Sequence, residues 1–173
     1  MTALKGIVLD RDGTIIKHVH YLGDPSKVEL NKDILFFLDW CKSKNIKLFI
    51  HSNQSGVHRG YFSFNDLMKV HISMMQKLEN FNFLKVFYAL DFKSRFRKPK
   101  SILKYLKRYN ISRADEILYI GDSDVDFETA KNIGSKCFLL DTGLNKPNKK
   151  NKLYTSFREI IEIINLNDEK IRN

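Results

Sequence analysis

Residues 6–14 read Gly6-Ile7-Val8-Leu9-Asp10-Arg11-Asp12-Gly13-Thr14. A short apolar run stops abruptly at two carboxylates one residue apart, and a glycine follows. A run of this length bounded by turn residues predicts a buried core strand. Its polar end predicts that chemistry begins where the strand stops.

Outward from this stretch the same pattern recurs. Asn45-Ile46-Lys47-Leu48-Phe49-Ile50 predicts a second strand, and Phe83 to Leu90 a third. Glu116 to Ile120 predicts a fourth and Lys136 to Leu140 a fifth. Helical spacing fills the intervals. Lys32 to Lys44 carries Ile34, Leu35, Leu38 and Cys41 on one stripe. Ser63 to Asn80 opens on a capping residue, Ser63 or Asn65, and carries Leu67, Val70, Met74, Met75 and Leu78 inward. Pro99 suits the first turn of a helix to about Tyr109. Val125 to Ile133 stops near Gly134, and Phe157 to Ile164 follows Ser156 as a cap.

Strands alternating with helices predict an α/β fold. It is a doubly wound, Rossmann-like parallel sheet of about five strands with helices on both faces. Residues 1–165 are expected to form a single domain, and 166–173 a polar C-terminal tail. The basic stretch Asn145 to Lys152 is too short to separate domains.

Composition narrows the function classes. The chain has 173 residues, 43% hydrophobic and 29% charged, ordinary globular values. No apolar run reaches the roughly 18 residues of a membrane span. Met1 to Asp10 reads as a core strand rather than a signal peptide. Cys41 and Cys137 read as buried thiols in a reducing cytoplasm. No Cys/His cluster has zinc-finger spacing. Lys plus Arg number 30 against 20 Asp plus Glu, a net charge of +10. That excess points to an anionic substrate or to nucleic acid.

Ligands in such sheets bind beyond the carboxyl ends of the strands. Four polar clusters fall there: Asp10 to Thr14, His51 to Gly56, Arg97-Lys98-Pro99 and Gly121 to Asp126. Asp10 and Asp12, two apart on an extended chain, point to one side. They repel each other unless a cation intervenes, and Asp122 adds a third carboxylate. Hard oxygen ligands suit Mg²⁺. A DxDG stretch also forms plain turns, but the other three clusters favour a site. A carboxylate, a metal, a hydroxyl and a lysine are the parts needed for phosphoryl transfer. A second carboxylate can protonate the leaving oxygen and then deprotonate water. The absence of a Walker A loop or GxGxxG argues against an NTP or dinucleotide site of those kinds.

These residues resemble the haloacid dehalogenase (HAD) superfamily of phosphohydrolases over about Gly6 to Thr142. The resemblance rests on Leu9 to Thr14, Ser52, Lys98, and Gly121-Asp122 with Asp126, in order. It implies a HAD-like, capless fold with Asp10 as nucleophile and Asp12 as general acid/base. It implies that Ser52 and Lys98 position the phosphoryl group. Mg²⁺ would be held by Asp10, Asp122 and the backbone carbonyl of Asp12. Asp126 would stand behind the metal, or at a helix N-terminus where the dipole favours it.

Within the superfamily, Asp10 to Ile15, Tyr21-Leu22, Ser52 to Val57, Arg59 to Ser63 and Arg97 to Lys100 are similar to the heptose-bisphosphate and histidinol-phosphate phosphatases. That likeness implies substrate contacts by Asn53 and Arg97. Arg59 is a weaker candidate, with a solvated loop as the alternative. The group usually carries a Cys/His zinc loop before Arg-Lys-Pro. Here Ala89 to Phe96 is short and has neither Cys nor His, so no zinc is expected.

The first function is therefore a Mg²⁺-dependent phosphatase, in the cytoplasm, for a small phosphorylated sugar such as a heptose bisphosphate. The second is a polynucleotide 3′-phosphatase, favoured by Lys93, Arg95, Arg97, Lys98, Lys100, Lys104, Lys107 and Arg108. The GDxxxD form of the fourth motif favours the small substrate. A non-catalytic, receiver-like phosphate-binding domain is third. A receiver's Asp follows the third strand, whereas here the acids follow the first and fourth.

Overall fold

Strand β1 (Gly6–Asp10) is buried at every residue, so it needs neighbours on both edges and cover on both faces. The computed structural model describes residues 4–90, 99–143 and 151–172. On one edge β1 pairs with β2 (Lys47–Asn53), which pairs with β3 (Phe83–Ala89). On the other it pairs with β4 (Ile117–Gly121), followed by β5 (Lys136–Leu140) and β6 (Leu153–Tyr154). All pairs are parallel, and the order is β3-β2-β1-β4-β5-β6. The chain winds outward from β1 one way, then returns to wind the other way. The gap between β1 and β4 is thus the point where the winding reverses, the place in such sheets where a crevice opens.

Side chains of β1 alternate between two cores. Ile7 and Leu9 join the cluster that includes Ile34, Phe37, Leu38 and Cys41 of α1 (Ile34–Ser43). Val70 and Met74 of α3 (Phe64–Lys77) and Phe157, Ile160 and Ile164 of α6 (Phe157–Arg172) belong to the same cluster. Val8 faces the other way, among Phe49, Tyr119, Ile102 and Leu106 of α4 (Pro99–Leu106), and Ala130 and Ile133 of α5 (Asp124–Ile133). Cys41 is buried, as expected, and Cys137 is half-buried; burial pushes both thiols well up, away from the reactive thiolate.

The sheet has six strands rather than about five. The addition, β6, is two residues long, too short to show a period in the sequence. β2 extends to Asn53 because Ser52 and Asn53 still pair with Tyr88 and Ala89 of β3. Polar side chains hid that extension. A short helix α2 (Ser55–His58) follows it. The terminal helix, expected over Phe157 to Ile164, continues as α6 through Arg172.

The segment between β1 and α1 folds back over the sheet edge. Ile16 bridges to Leu30, and Ile15, Ile16, Leu22 and Val28 are buried in the core. The Asn31 amide donates to the carbonyls of Gly13 (2.7 Å) and Thr14 (2.8 Å), tying the root of this flap to the motif loop. The Ser73 hydroxyl donates to the Pro25 carbonyl (3.1 Å), holding the flap's far turn on α3.

The Ser63 cap expected for α3 is present, with Asp66 completing a capping box. Replacing it, Ser63→Ala, should cost about 1 kcal/mol of stability in urea unfolding. No loss would show that packing alone sets the start of α3.

Candidate active site

Asp10 is the last residue of β1, Asp122 the first after β4, and Asp126 lies in the first turn of α5. One oxygen from each lies within 4.8 Å of the others, and all three residues are buried. Little water reaches them. Burial chiefly pushes the Asp10 carboxyl well above the usual range, and the charges of Asp126, Asp12 and Asp122 push the same way. Burial also raises Asp126, against hydrogen bonds from the Ser123 hydroxyl and from the Asp122 and Ser123 amides. Three converging hard oxygens form a set that a divalent ion such as Mg²⁺ would complete.

Gly13 lets the motif loop reach this cluster. Its φ is +90°, and a Cβ there would lie 2.0 Å from Asp122 Oδ2. Any side chain would therefore push Asp122 aside.

Asp12 faces a different set of groups. Its carboxylate accepts from Arg11 Nε (3.0 Å) and Nη2 (2.9 Å), from the Gln54 amide (2.6 Å) and from the Ser52 hydroxyl at 3.4 Å. The same Gln54 amide donates to Ser52 Oγ (2.8 Å). The two motif aspartates thus do different things: Asp10 joins the acidic cluster, while the Asp12 side chain is surrounded by donors.

A buried polar chain lies beneath. His51 sits beside Asp10 in the β1–β2 register, and its Nδ1 lies 2.7 Å from the Tyr119 hydroxyl. That hydroxyl donates to Asp126 Oδ1 at 3.4 Å. Burial pushes the His51 imidazole down to about 4, so it is neutral near pH 7. With the tyrosine proton pointing to Asp126, Nδ1 carries the hydrogen that Tyr119 accepts.

Beside Asp12 a cleft of about 160 Å³ opens between the flap and the end of β2. Arg11, Asp12, Tyr21, Asn53, Gln54 and Phe62 are among its lining residues. Asn53, which the sequence offers as a substrate contact, also lines this cleft. Arg59 lies at the margin, exposed, with Nη1 3.4 Å from the Tyr21 hydroxyl. Tyr21 in turn packs on Tyr61, ring centroids 4.2 Å apart.

The structure thus brings together Asp10, Asp12, Ser52, Asn53 and Asp122. Arg97 and Lys98 lie outside the described residues, as do residues 91–96 of the loop expected to lack zinc, Lys93 and Arg95 among them. Lys104, Lys107 and Arg108 are exposed. The sequence did not mark Arg11, Gln54 or Asn31, because their roles rest on contacts between separate segments. Asp126 was visible in the GDxxxD spacing, but not its approach to Asp10.

Comparison with known proteins agrees with this geometry. The haloacid dehalogenase-like hydrolase family matches residues 7–140. The D-glycero-alpha-D-manno-heptose-1,7-bisphosphate 7-phosphatase of Campylobacter jejuni is 27% identical over 96% of this chain and 97% of its own. The D-glycero-beta-D-manno-heptose-1,7-bisphosphate 7-phosphatase of Helicobacter pylori is 28% identical, over 95% of this chain and 99% of its own. Among solved structures, the D,D-heptose 1,7-bisphosphate phosphatase from B. bronchiseptica, complexed with magnesium and phosphate, shares the fold. It aligns with a TM-score of 0.78 at 19% identity, over 95% of this chain and 99% of that one.

Two outcomes follow from the acidic cluster. A carboxyl with a raised folded-state pKa keeps its proton where the unfolded chain has lost it. Its stabilising effect is present below the ordinary carboxylate pKa and is lost as pH rises through the raised value. The metal-free protein should therefore lose stability over that rise, and Mg²⁺, which binds the deprotonated set, should restore it. In thermal unfolding, the Mg²⁺-induced rise in Tm should grow with pH; a rise equal at every pH would contradict the coupling. Gly13→Ala should weaken Mg²⁺ binding in calorimetry by about tenfold or more, as expected for a strained metal site.

Proposed function

Since the chain belongs to the haloacid dehalogenase-like hydrolase family and is a phosphatase of that family, we propose that its substrate is a small phosphorylated sugar, a heptose bisphosphate. The single observation that carries the chemistry is the separation of roles between Asp10 and Asp12. One carboxylate lies in the cation-binding cluster, at the end of a strand at the winding reversal. The other is held by donors beside a cleft.

In the proposed reaction an Asp10 oxygen attacks phosphorus. The new bond joins Asp10 to the phosphoryl group, and the bond from phosphorus to the sugar oxygen breaks. That oxygen takes the electron pair and receives a proton from Asp12. Asp12, now a base, removes a proton from water, which attacks the same phosphorus and frees Asp10 and inorganic phosphate. Ser52 and Lys98 hold the phosphoryl oxygens. Mg²⁺, held by Asp10, Asp122 and the backbone carbonyl of Asp12, would supply positive charge against those oxygens and the acidic cluster. Asp126 supports the start of α5 through its capping box with Ser123 and stands close enough to Asp10 to share the cation's field.

Substrate choice belongs to the cleft and its rim. Asn53 lines it, and Arg59 and Arg97 are the cations proposed for the rest of the substrate. The chain's likeness to two heptose-bisphosphate phosphatases over nearly its whole length supports the sugar. The stretch Ala89 to Phe96 has neither Cys nor His, so this function uses no zinc.

The test is a Mg²⁺-dependent phosphate-release screen of heptose 1,7-bisphosphate, histidinol phosphate and a 3′-phosphorylated oligonucleotide at two salt concentrations. The heptose bisphosphate should be preferred, and Asp10→Asn should lower its turnover roughly 10⁴-fold or more while the fold is kept. Hydrolysis of the oligonucleotide alone, falling steeply with salt, would replace the sugar with nucleic acid.

A further inference from the structure

Arg11 stands between the two motif aspartates, yet its side chain is fully buried, with 1% of it exposed against 18% for the Asp12 side chain. An arginine so placed must have a counter-ion. Among the described residues its ion-pair partner is Asp12. The contact is a fork: Nε reaches Oδ2 at 3.0 Å and Nη2 reaches Oδ1 at 2.9 Å. Nη2 also lies 2.9 Å from Oδ2, so two nitrogens of one planar group engage both oxygens and limit where the carboxylate sits and how it is rotated.

The surroundings of Arg11 leave this role to Asp12. Among the described residues, the Tyr88 hydroxyl and the His71 ring also feel its charge. Burial pushes Tyr88 up to about 12, with Arg11 opposing. Burial and Arg11 both push His71 down. Neither offers a negative charge near pH 7. The backbone of Arg11 is held as well, since its carbonyl accepts from the Ile15 and Ile16 amides, both at 3.0 Å. From the cleft side Gln54 completes the grip on Oδ2 at 2.6 Å.

We propose that Arg11 is a positioning residue that, from beneath the site, sets the orientation of the Asp12 carboxylate toward the leaving oxygen. This rests on Asp12 being the proton-transfer group proposed above. Proton transfer in the transition state depends on a donor held at the right place and angle. A displacement of about 1 Å can cost on the order of 10²-fold in rate.

The experiment separates orientation from folding through the leaving group. Arg11→Lys keeps a charge under Asp12 but replaces the fork with a single point donor. Arg11→Met keeps the apolar stem, and is the second variant if the lysine does not fold. Rapid-quench kinetics with Mg²⁺ would follow the first turnover of an alkyl phosphate, sugar 7-phosphate in type, and of p-nitrophenyl phosphate. An alkoxide needs the proton of Asp12 to leave, whereas p-nitrophenolate leaves without it. The folded variant should transfer the alkyl phosphate about 10²-fold more slowly. It should still release a p-nitrophenolate burst at a rate within a few-fold of the parent. Equal slowing with both substrates, or no slowing with either, would overturn the role. Asp12→Asn is the control. If it shows the leaving-group split and the Arg11 variants do not, the inference on Arg11 fails alone. If Asp12→Asn keeps full alkyl phosphate turnover, the role given to Asp12 falls, and the Arg11 role with it.

Discussion

Repulsion among buried carboxylates governs the carboxyl edge of this sheet. Asp10, Asp122 and Asp126 converge where little water reaches them, and burial together with mutual charge raises the cost of ionising Asp10. A folded chain tolerates such a cluster only when other forces hold it in place. Here two parallel strands buried at every residue do so: β1 ends in Asp10, and β4 ends one residue before Asp122. The apolar cores on both faces keep those strand ends adjacent, so hydrophobic packing offsets the electrostatic cost. A divalent cation bound there would offset that cost.

The other devices in the site serve the same convergence. Gly13 gives up its side chain so that the motif loop can pass against Asp122. Asn31 ties that loop to the flap root through two carbonyls that would otherwise lack donors there. The capping box of Ser123 and Asp126 begins α5 and turns the Asp126 carboxylate back toward the cluster. Beneath it His51 and Tyr119 fill the space between strands with a neutral pair, which adds no further charge. The charge of Asp12 also acts on Asp10, but its own carboxylate is held by Arg11 and Gln54. Two acids of one motif can then carry different roles although they are one residue apart.

Much of this was legible in the sequence, for specific reasons. The alternation of apolar runs and helical stripes has strong periods, so the parallel α/β sheet could be read directly. The position of Ser63, the stop at Gly134 and the burial of Val70 and Met74 came from the same local patterns. Less legible were the pieces whose structure depends on a neighbour. β6 exists because β5 offers an edge for two residues, and β2 carries its polar end because β3 continues beside it. The helix runs on past Ile164, where the apolar stripe of the sequence fades.

The sequence by itself determined that four polar clusters follow four strands, and therefore that acids, a hydroxyl and an amide would share one edge. Spacing along the chain suffices for that, because parallel strands all end on the same side. Only the tertiary structure decided the partners of those groups. It drew Asp126 toward Asp10, sent Arg11 inward beneath Asp12, and brought Gln54 across from β2's end to the same carboxylate. Those choices rest on distances of a few ångströms between segments far apart in sequence, and are set by packing and desolvation rather than by any local period.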